Sequence, residues 1–429
     1  MKKITFDQLQ EELFHEKMAN GLDVYILPKK GFNKTYATFT TKYGSIDNHF
    51  VAKGDTDFTK VPDGIAHFLE HKLFEKEDGD VFQQFSKQGA SANAFTSFTR
   101  TAYLFSSTSN FERNLETLID FVQDPYFSEK TVEKEKGIIG QEITMYEDNP
   151  DWRLYFGLIQ NMYKNHPVKI DIAGTVDSIA KITKDMLYQC YYTFYHPSNM
   201  LLFVVGPEDV DRTMNFIRDN QAKKPFEDLP EVKRQFEEEP VEVAEKKKVL
   251  KMNVQTSKCL FGIKALPQKH SGEEMLKNEL ATNLMLDLLF GKSSENYQKL
   301  YSEGLIDETF SYDFTQEQGF GFAMVGGDTS DPDRLAETLE NMLREAATGN
   351  VISEESLNKA KKKKIGAFLR SVNSPEYIAN QFTRYAFNDM NLFDVVPTLE
   401  KINLEEVKSL SAEFISEERF TVCQVVPNK

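Results

Sequence analysis

Two short stretches of the chain alternate between apolar and polar residues with a period of two, at residues 22–27 and 249–254. This period is typical of a β-strand that has one buried face. Each stretch is followed by an amphipathic helical pattern, a middle part punctuated by glycine and further helical patterns. The pattern therefore predicts two halves that are diverged copies of one domain.

A segment without a helical or strand period separates the two halves, at residues 222–248. Glutamate and lysine dominate it and three prolines interrupt it, which is typical of an interdomain linker. We therefore expect an N-terminal domain at residues 1–221, which carries the candidate chemistry, and a homologous C-terminal domain at residues 249–429.

Helical patterns follow pairs of strands without a regular β-α-β alternation. Residues 65–74 and 128–146 have helical patterns, whereas residues 90–97 and 101–106 have the pattern of two strands joined by a short turn. This order favours an α+β fold over a doubly wound parallel sheet. We expect each domain to be a mostly antiparallel sheet packed with helices.

Composition and charge exclude several classes of protein. The net charge of −16 and the isoelectric point of about 5.1 argue against a nucleic-acid partner, because phosphate binding needs a basic face. No apolar run approaches the ~18 residues of a membrane span, and the N-terminal residues lack the apolar core of an export signal. The three cysteines are far apart, which supports neither a disulfide framework nor a thiolate metal site. We therefore expect a cytoplasmic protein without a membrane span.

The most specific chemistry lies in the predicted helix at residues 65–74, which carries His67, Glu70 and His71. Residues four positions apart share one face of a helix, so both imidazoles can reach a single tetrahedral zinc ion. Glu70 lies beside that face, where it can hold a water molecule. The order His-x-x-Glu-His is the inverse of the His-Glu-x-x-His motif of other zinc hydrolases. The alternative is a helix with two surface histidines.

A zinc site of this kind needs a third protein ligand. The helical pattern at residues 128–146 carries Glu135 and Glu142, which are seven residues or two turns apart on one face. Such a pair suits one metal ligand and one residue that supports a ligand from behind. An acidic surface helix explains the same spacing, so the spacing alone leaves both interpretations open.

The chain resembles the pitrilysin-like inverzincins, the zinc peptidases of family M16, over essentially all of its 429 residues. Within the family it is most similar to cytoplasmic peptidases of Gram-positive bacteria. Beyond the His-x-x-Glu-His motif, the resemblance rests on an ordered set of motifs at Gly64, residues 91–96, residues 135–143, Asp148-Asn149-Pro150, His166-Pro167, Gly174-Thr175 and residues 195–200.

The resemblance implies a role for each site residue. His67, His71 and Glu142 would be the zinc ligands, Glu70 would be the general base, and Glu135 would support the site from behind. The resemblance also implies two homologous α+β domains per chain. Four such domains, from two chains or from one chain of double length, would enclose a peptide chamber.

The resemblance further implies where a peptide would bind. An extended substrate would add to the edge strand through Asn93, Ala94 and Phe95, and would gain main-chain hydrogen bonds by β-augmentation. Phe95 would help to shape the pocket for the residue before the cut. The alternative for Phe95 is an ordinary core aromatic on a strand.

One departure from the family pattern lies in the second half. Active members bind the substrate with an arginine and a tyrosine in a segment that resembles Leu-Arg-Glu-x-Gly-Leu-x-Tyr, and here Tyr301 and Asp307 occupy those two positions. We therefore expect a heterodimer with a homologous partner subunit that lacks the zinc motif. The alternative is a homodimer that uses other residues, such as Tyr312 or Arg370.

The sequence thus predicts a zinc-dependent endopeptidase that cleaves short unfolded peptides inside a closed chamber, as the zinc-bearing subunit of a heterodimer. One alternative is a non-catalytic or partner-dependent subunit that binds peptides or supports assembly. Another is a zinc-dependent hydrolase of a different small amide, because a fold does not by itself fix a substrate.

Overall fold

A computed structural model describes residues 1–77, 79–224, 226–227, 229–267, 271–348 and 352–428. The chain divides into two compact units. The first comprises Met1–Ile143, Ile170–Phe236 and Ser371–Phe387, and the second comprises Thr144–Lys169, Glu237–Arg370 and Asn388–Lys429.

The first half of the chain forms the elements β1 to β11 and α1 to α8. Its strands are β1 (Lys2–Phe6), β2 (Glu11–Lys17), β3 (Asp23–Pro28), β4 (Thr35–Thr41), β5 (His49–Val51), β6 (Phe58–Lys60), β7 (Glu75–Lys76), β8 (Gly79–Asp80), β9 (Ala90–Thr96), β10 (Thr101–Ser107) and β11 (Met200–Gly206). Its helices are α1 (Ile65–Leu73), α2 (Val81–Lys87), α3 (Phe111–Val122), α4 (Glu129–Asp148), α5 (Pro150–Met162), α6 (Val176–Ile179), α7 (Lys184–Phe194) and α8 (Val210–Ala222).

The second half forms β12 to β16 and α9 to α15. Its strands are β12 (Lys247–Met252), β13 (Ser257–Lys264), β14 (Ser311–Glu317), β15 (Phe320–Thr329) and β16 (Phe420–Pro427). Its helices are α9 (Glu273–Phe290), α10 (Glu295–Ser302), α11 (Pro332–Ala347), α12 (Glu354–Ser371), α13 (Pro375–Ala386), α14 (Val395–Lys401) and α15 (Leu404–Phe414). Among the described residues, no helix is both long enough and apolar enough to cross a bilayer.

The main sheets of the two units share one strand order. The first sheet runs β1-β2-β3-β11-β4-β10-β9 and the second runs β12-β16-β13-β15-β14. Each contains one parallel pair, β3 with β11 and β12 with β16, and its remaining pairs are antiparallel. The last five strands of the first sheet therefore match the second sheet in order and direction. This match confirms the predicted α+β fold with two homologous domains.

Central strands form where apolar residues run continuously. β11 has the sequence Met-Leu-Leu-Phe-Val-Val-Gly, and every one of its residues is buried. A strand that is covered on both faces has no reason to alternate with polar residues. β11 consequently lies between β3 and β4 in the interior of the first sheet.

Each unit contains one helix from the other half of the chain. α5 belongs to the second unit, where it packs on β13 and β16. α13 belongs to the first unit, where it packs on β4 and β11, and the Phe382 ring lies 4.8 Å from the ring of Phe203. The predicted ranges 1–221 and 249–429 differ from the two units by these segments. Apolar periodicity reveals the buried face of a helix but not which sheet covers it.

The predicted linker is irregular, as its composition suggests, but it is held in place. Lys233 and Gln235 pair through their backbones with the two ends of β5, at 3.0 and 2.9 Å. Between them the Arg234 guanidinium bonds to the buried carboxylate of Asp47 at 2.7 Å. Further along, the Glu239 carboxylate accepts hydrogen bonds from the backbone N–H groups of the three residues 164–166, which follow α5 in the second unit. The two parts of the segment are thus fixed to different units.

The predicted helices and strands of the candidate site form close to their expected bounds. α1 covers most of residues 65–74, α4 covers residues 129–146 of the predicted range 128–146, and β9 and β10 form the predicted strand pair. Gly64 precedes α1 with a φ of 87°, a conformation that favours glycine. A Cβ at this position would also lie 2.3 Å from the Ala173 carbonyl oxygen. The entry of α1 therefore depends on glycine.

Candidate metal centre

α1 places three titratable side chains in the interior of the first unit. Ile65, Phe68 and Leu69 are buried in the core, as expected for an amphipathic helix, but His67 and Glu70 are also only 9% and 8% exposed. α1 is therefore covered on almost every side. Buried polar groups need partners, and α4 and β9 supply most of them.

Glu142 on α4 faces both histidines of α1. Its two carboxylate oxygens lie 3.7 Å from His67 Nε2 and 3.6 Å from His71 Nε2. One donor atom from each of the three residues falls within 4.8 Å of the others. In a tetrahedral zinc site with bonds of about 2.0–2.1 Å, neighbouring donor atoms lie about 3.4 Å apart. The three side chains thus have the chemistry and spacing that such an ion requires.

Glu135 lies two turns before Glu142 and contacts the other side of the His71 ring. Its Oε1 is 3.1 Å from His71 Nδ1. Burial works against the charge of both groups. The hydrogen bond and the positive charges of His71, Lys72 and Lys134 nevertheless lower the pKa of Glu135. The same hydrogen bond and the surrounding carboxylates raise the pKa of His71. A proton on Nδ1 that is donated to Glu135 leaves Nε2 available on the Glu142 side.

His67 differs from His71 in its surroundings. Burial and the charge of nearby His71 together lower the pKa of His67 to about 4. The ring is therefore neutral at physiological pH, which is the form that binds metals. Its Nδ1 is buried and has no hydrogen-bond partner among the described residues.

Glu70 lies beside the three candidate ligands and bonds to β9. Thr96 Oγ1 donates to Glu70 Oε2 at 2.5 Å. Burial raises the pKa of Glu70 to about 6, and the Thr96 hydrogen bond opposes this increase. A carboxyl group with a pKa near neutrality can take up and release a proton at physiological pH.

β9 is an edge strand of the first sheet, and it runs past these residues. Asn93 and Ala94 line a cavity of about 690 Å³ that also borders Glu70 and His71. Phe95 is not among the residues that line this cavity. Instead, the Arg100 guanidinium carbon lies 5.7 Å from the centre of its ring. The structure thus separates Phe95 from the cavity to which Asn93 and Ala94 contribute.

Sequence reasoning gave no role to two side chains around this centre. Thr96 lies in a motif of the family resemblance, but only the folded chain brings its hydroxyl to Glu70. Lys72 follows His71 directly and is completely buried, where it pairs with Glu75. A lysine next to a metal-binding motif indicates nothing by its position, because lysines are mostly exposed.

In the second unit, Tyr301 and Asp307 occupy the positions where the family resemblance implies an arginine and a tyrosine, and both contact residues close to them in sequence. Tyr301 is 51% exposed and stacks on Tyr297. Asp307 accepts hydrogen bonds from the backbone and hydroxyl of Thr309 at 2.8 and 2.6 Å. Tyr312 donates its hydroxyl to Asp287, which also pairs with a lysine of α12.

Two family profiles match the chain. Residues 51–176 match the profile described as insulinase, peptidase family M16, and residues 181–364 match the profile described as the peptidase M16 inactive domain. Together the matches cover most of the chain, and the border between them, at residues 177–180, lies within the first half.

Individual relatives extend these matches. The uncharacterized zinc protease YmfH of Bacillus subtilis is 68% identical over 427 residues, which is 100% of this chain and 99% of YmfH. A crystal structure of an M16-like peptidase from Alicyclobacillus acidocaldarius superposes with a TM-score of 0.94 at 39% identity, covering 97% of this chain and 99% of that chain. Pitrilysin has the same fold, with a TM-score of 0.76 at 14% identity, and this chain covers 47% of its length. The chain belongs to peptidase family M16.

Proposed function

We propose that the protein is a zinc-dependent endopeptidase that cleaves short unfolded peptides. The observation that carries this proposal is the convergence of His67, His71 and Glu142 within 4.8 Å, with Glu70 beside them. These three side chains would hold the metal as its ligands. Four-coordinate zinc with three protein ligands keeps one position for water or substrate, as catalytic sites do and structural sites do not.

The bound zinc would polarise the peptide carbonyl and lower the pKa of water to about 7. Glu70 takes a proton from the attacking water and passes it to the leaving amine, so that the same carboxyl acts as base and then as acid. Thr96 fixes one Glu70 oxygen by a hydrogen bond. Glu135 holds the His71 ring by its Nδ1, which keeps Nε2 on the side of Glu142, where it would bind the metal.

The substrate would bind along β9. This strand pairs with β10 on one side only, so its other edge can add an extended peptide by main-chain hydrogen bonds. Asn93, Ala94 and Phe95 would form this edge, and Glu70 and His71 border the same cavity as Asn93 and Ala94. The zinc-protease names of close relatives support a peptide substrate over another small amide.

We further propose that the chain works with a homologous partner subunit that lacks the zinc motif, so that together they close a peptide chamber. Tyr301 and Asp307 stand where active members carry arginine and tyrosine, and both engage local partners. The homodimer alternative would use Tyr312, whose hydroxyl already donates to Asp287. Three buried thiols without disulfides fit a reducing cytoplasm.

A second candidate function is a partner-dependent subunit that binds peptides without cleaving them. The observation in its favour is the same loss at Tyr301 and Asp307. The complete set of zinc-ligand and base residues in the first unit favours the peptidase, because a binding subunit has no use for a buried carboxyl beside three metal-binding side chains.

Metal content and activity test the proposed roles together. We expect about one zinc ion per chain in the purified protein, and loss of zinc in His67→Ala, His71→Ala and Glu142→Ala, because two remaining protein ligands hold the ion too weakly. Glu70→Gln should keep the zinc and lose peptidase activity by about 100-fold or more. Elemental analysis and a fluorogenic peptide assay measure the two effects.

His49→Ala is the matched control, because His49 lies on β5 outside the metal-binding group. It should keep both zinc and activity. Loss of zinc from Glu70→Gln with retention in Glu142→Ala would exchange the roles of those two residues.

The Thr96 hydrogen bond predicts a pH effect. Glu70 must be ionised to act as a base, so kcat/KM should fall as the pH drops through its pKa of about 6. Thr96→Val removes a hydrogen bond that lowers this pKa, so the acidic limb should move to higher pH by about one unit. The measurement is the pH profile of kcat/KM for the zinc-loaded protein.

Thr96→Ser, which keeps the hydroxyl, should leave the limb near the wild-type position. An acidic limb that is unchanged in Thr96→Val, with zinc content intact, would show that another group controls it.

Substrate size tests the binding of extended chains. A peptide must be extended to pair with β9, so cleavage should favour unfolded peptides of a few tens of residues and should stop for a stably folded protein. The test compares one small protein in its native form with a destabilised variant that is unfolded under the same conditions. Equal rates for the two forms would contradict binding at the strand edge.

The partner requirement can be measured directly. Positioning errors of about 1 Å can cost on the order of a hundredfold in rate, so the isolated chain should be much less active than a mixture with a homologous subunit that lacks His-x-x-Glu-His. Peptidase assays before and after addition of that subunit, with zinc content held constant, measure the gain. Full activity of the isolated chain, unchanged by the partner, would favour the homodimer.

A further inference from the structure

A cavity of about 690 Å³ opens beside the metal centre in the first unit. Glu70, His71 and Glu135 border it on one side, and Asn93 and Ala94 on β9 border it on another. The rest of its wall comes from the end of α1, from β7 and β8, from the start of α2 and from the middle of α4. A side chain of a peptide lying along β9 next to the metal would therefore enter this space.

The wall is aromatic on the side of α2. The rings of Phe74 and Phe82 stack with centroids 4.1 Å apart and planes 13° apart. Phe74 is buried, but Phe82 is 40% exposed and Ile138 on α4 is 45% exposed. The cavity thus presents open apolar surface, which suits the methylene stem of a long side chain.

Two lysines belong to this part of the chain, but their ammonium groups are engaged within the unit. Lys72 is completely buried and pairs with Glu75. Lys76 donates to the backbone carbonyls of Phe121, at 2.8 Å, and Asp124, just after α3. Both ammonium groups are therefore held by partners within the unit, and of the two only Lys76 lines the cavity.

Two exposed carboxylates remain on the wall. Glu77 and Asp80 both line the cavity and both are exposed. Asp80 is also the N-cap of α2, where its Oδ1 accepts from Phe82 N at 2.8 Å. This bond fixes the Asp80 carboxylate next to the residue that carries the exposed ring. The lining as a whole carries five carboxyl side chains and two lysines, Lys76 and Lys134, so acids outnumber cations around the cavity.

We propose that this cavity selects a lysine or arginine side chain of the substrate, with its stem against Phe74 and Phe82 and its charge at Glu77 and Asp80. This inference rests on the proposed peptidase function and names the substrate class of that site. Aromatic rings attract a cation over their faces, and the carboxylates attract it from the rim. A neutral side chain of the same length would gain only the contact with the rings.

The test uses two series of peptides that are identical except at one position, placed on either side of the scissile bond. Each series carries lysine, arginine, norleucine or phenylalanine at that position; norleucine keeps the length of the lysine stem without its charge. We expect lysine and arginine to exceed norleucine in kcat/KM by about tenfold in one series, with a smaller ratio at high salt. The same ratio should hold for binding to zinc-loaded Glu70→Gln, measured by fluorescence anisotropy.

A double variant keeps the shape of the wall while it removes the negative charges of its two exposed acids. Glu77→Gln with Asp80→Asn should reduce the lysine-to-norleucine ratio to near one and leave the norleucine peptide unchanged, because asparagine still caps α2. The matched control is Asp57→Asn with Glu129→Gln, two exposed acids that do not line the cavity. This control removes the same charge and should keep the ratio.

Each outcome decides between the alternatives. Norleucine or phenylalanine peptides that match lysine in the wild type would overturn the inference, as would a lysine preference that survives Glu77→Gln with Asp80→Asn. A binding preference for lysine without cleavage of any peptide, even with a partner subunit, would contradict the proposed peptidase and leave the cation site supported.

Discussion

The structure around the candidate metal centre depends on the burial of α1. A helix that is covered on almost every side carries His67, Glu70 and His71, and isolated polar groups in such a place cost several kcal/mol each. The fold meets this cost with partners from two other elements, Glu135 and Glu142 on α4 and Thr96 on β9. The centre is therefore built by packing α4 and β9 against α1, and each group obtains its protonation behaviour from that packing.

Three of the four titratable groups of α1 illustrate this dependence. His67 and His71 have the same side chain and are one helical turn apart, yet burial lowers the pKa of one and carboxylate contacts raise the pKa of the other. Glu70, one residue before His71, has a pKa raised by burial to about 6. Environments that separate the pKa values of neighbouring groups are typical of sites that move protons.

Much of the fold and of the site could be predicted because the information is local. The spacing of His67, Glu70 and His71 requires only the helix period, and the alternation of residues 90–97 and 101–106 requires only the strand period. The role of Glu142 was harder to predict from the sequence, because its spacing from Glu135 also fits an acidic surface helix. The family resemblance was needed to propose Glu142 as a metal ligand. The duplicated α+β architecture followed from two similar patterns, and the matching strand orders confirm it.

The remaining features depend on long-range packing that no period encodes. α5 and α13 each pack in the unit that is formed mostly by the other half of the chain, and the Thr96 hydroxyl reaches Glu70 across a sequence separation of 26. Lys72 pairs with nearby Glu75, but its complete burial results from the packing around α1. Lys72 shows why this matters for function. By pairing with Glu75 inside the protein, it fixes β7 beside the metal centre, and the hydrogen bonds of Lys76 to the carbonyls at the end of α3 fix the same strand from its other residue. The wall of the cavity beside these residues is therefore held by two lysines, one engaged by the Glu75 carboxylate and the other by backbone carbonyls, and the exposed acids Glu77 and Asp80 face the cavity.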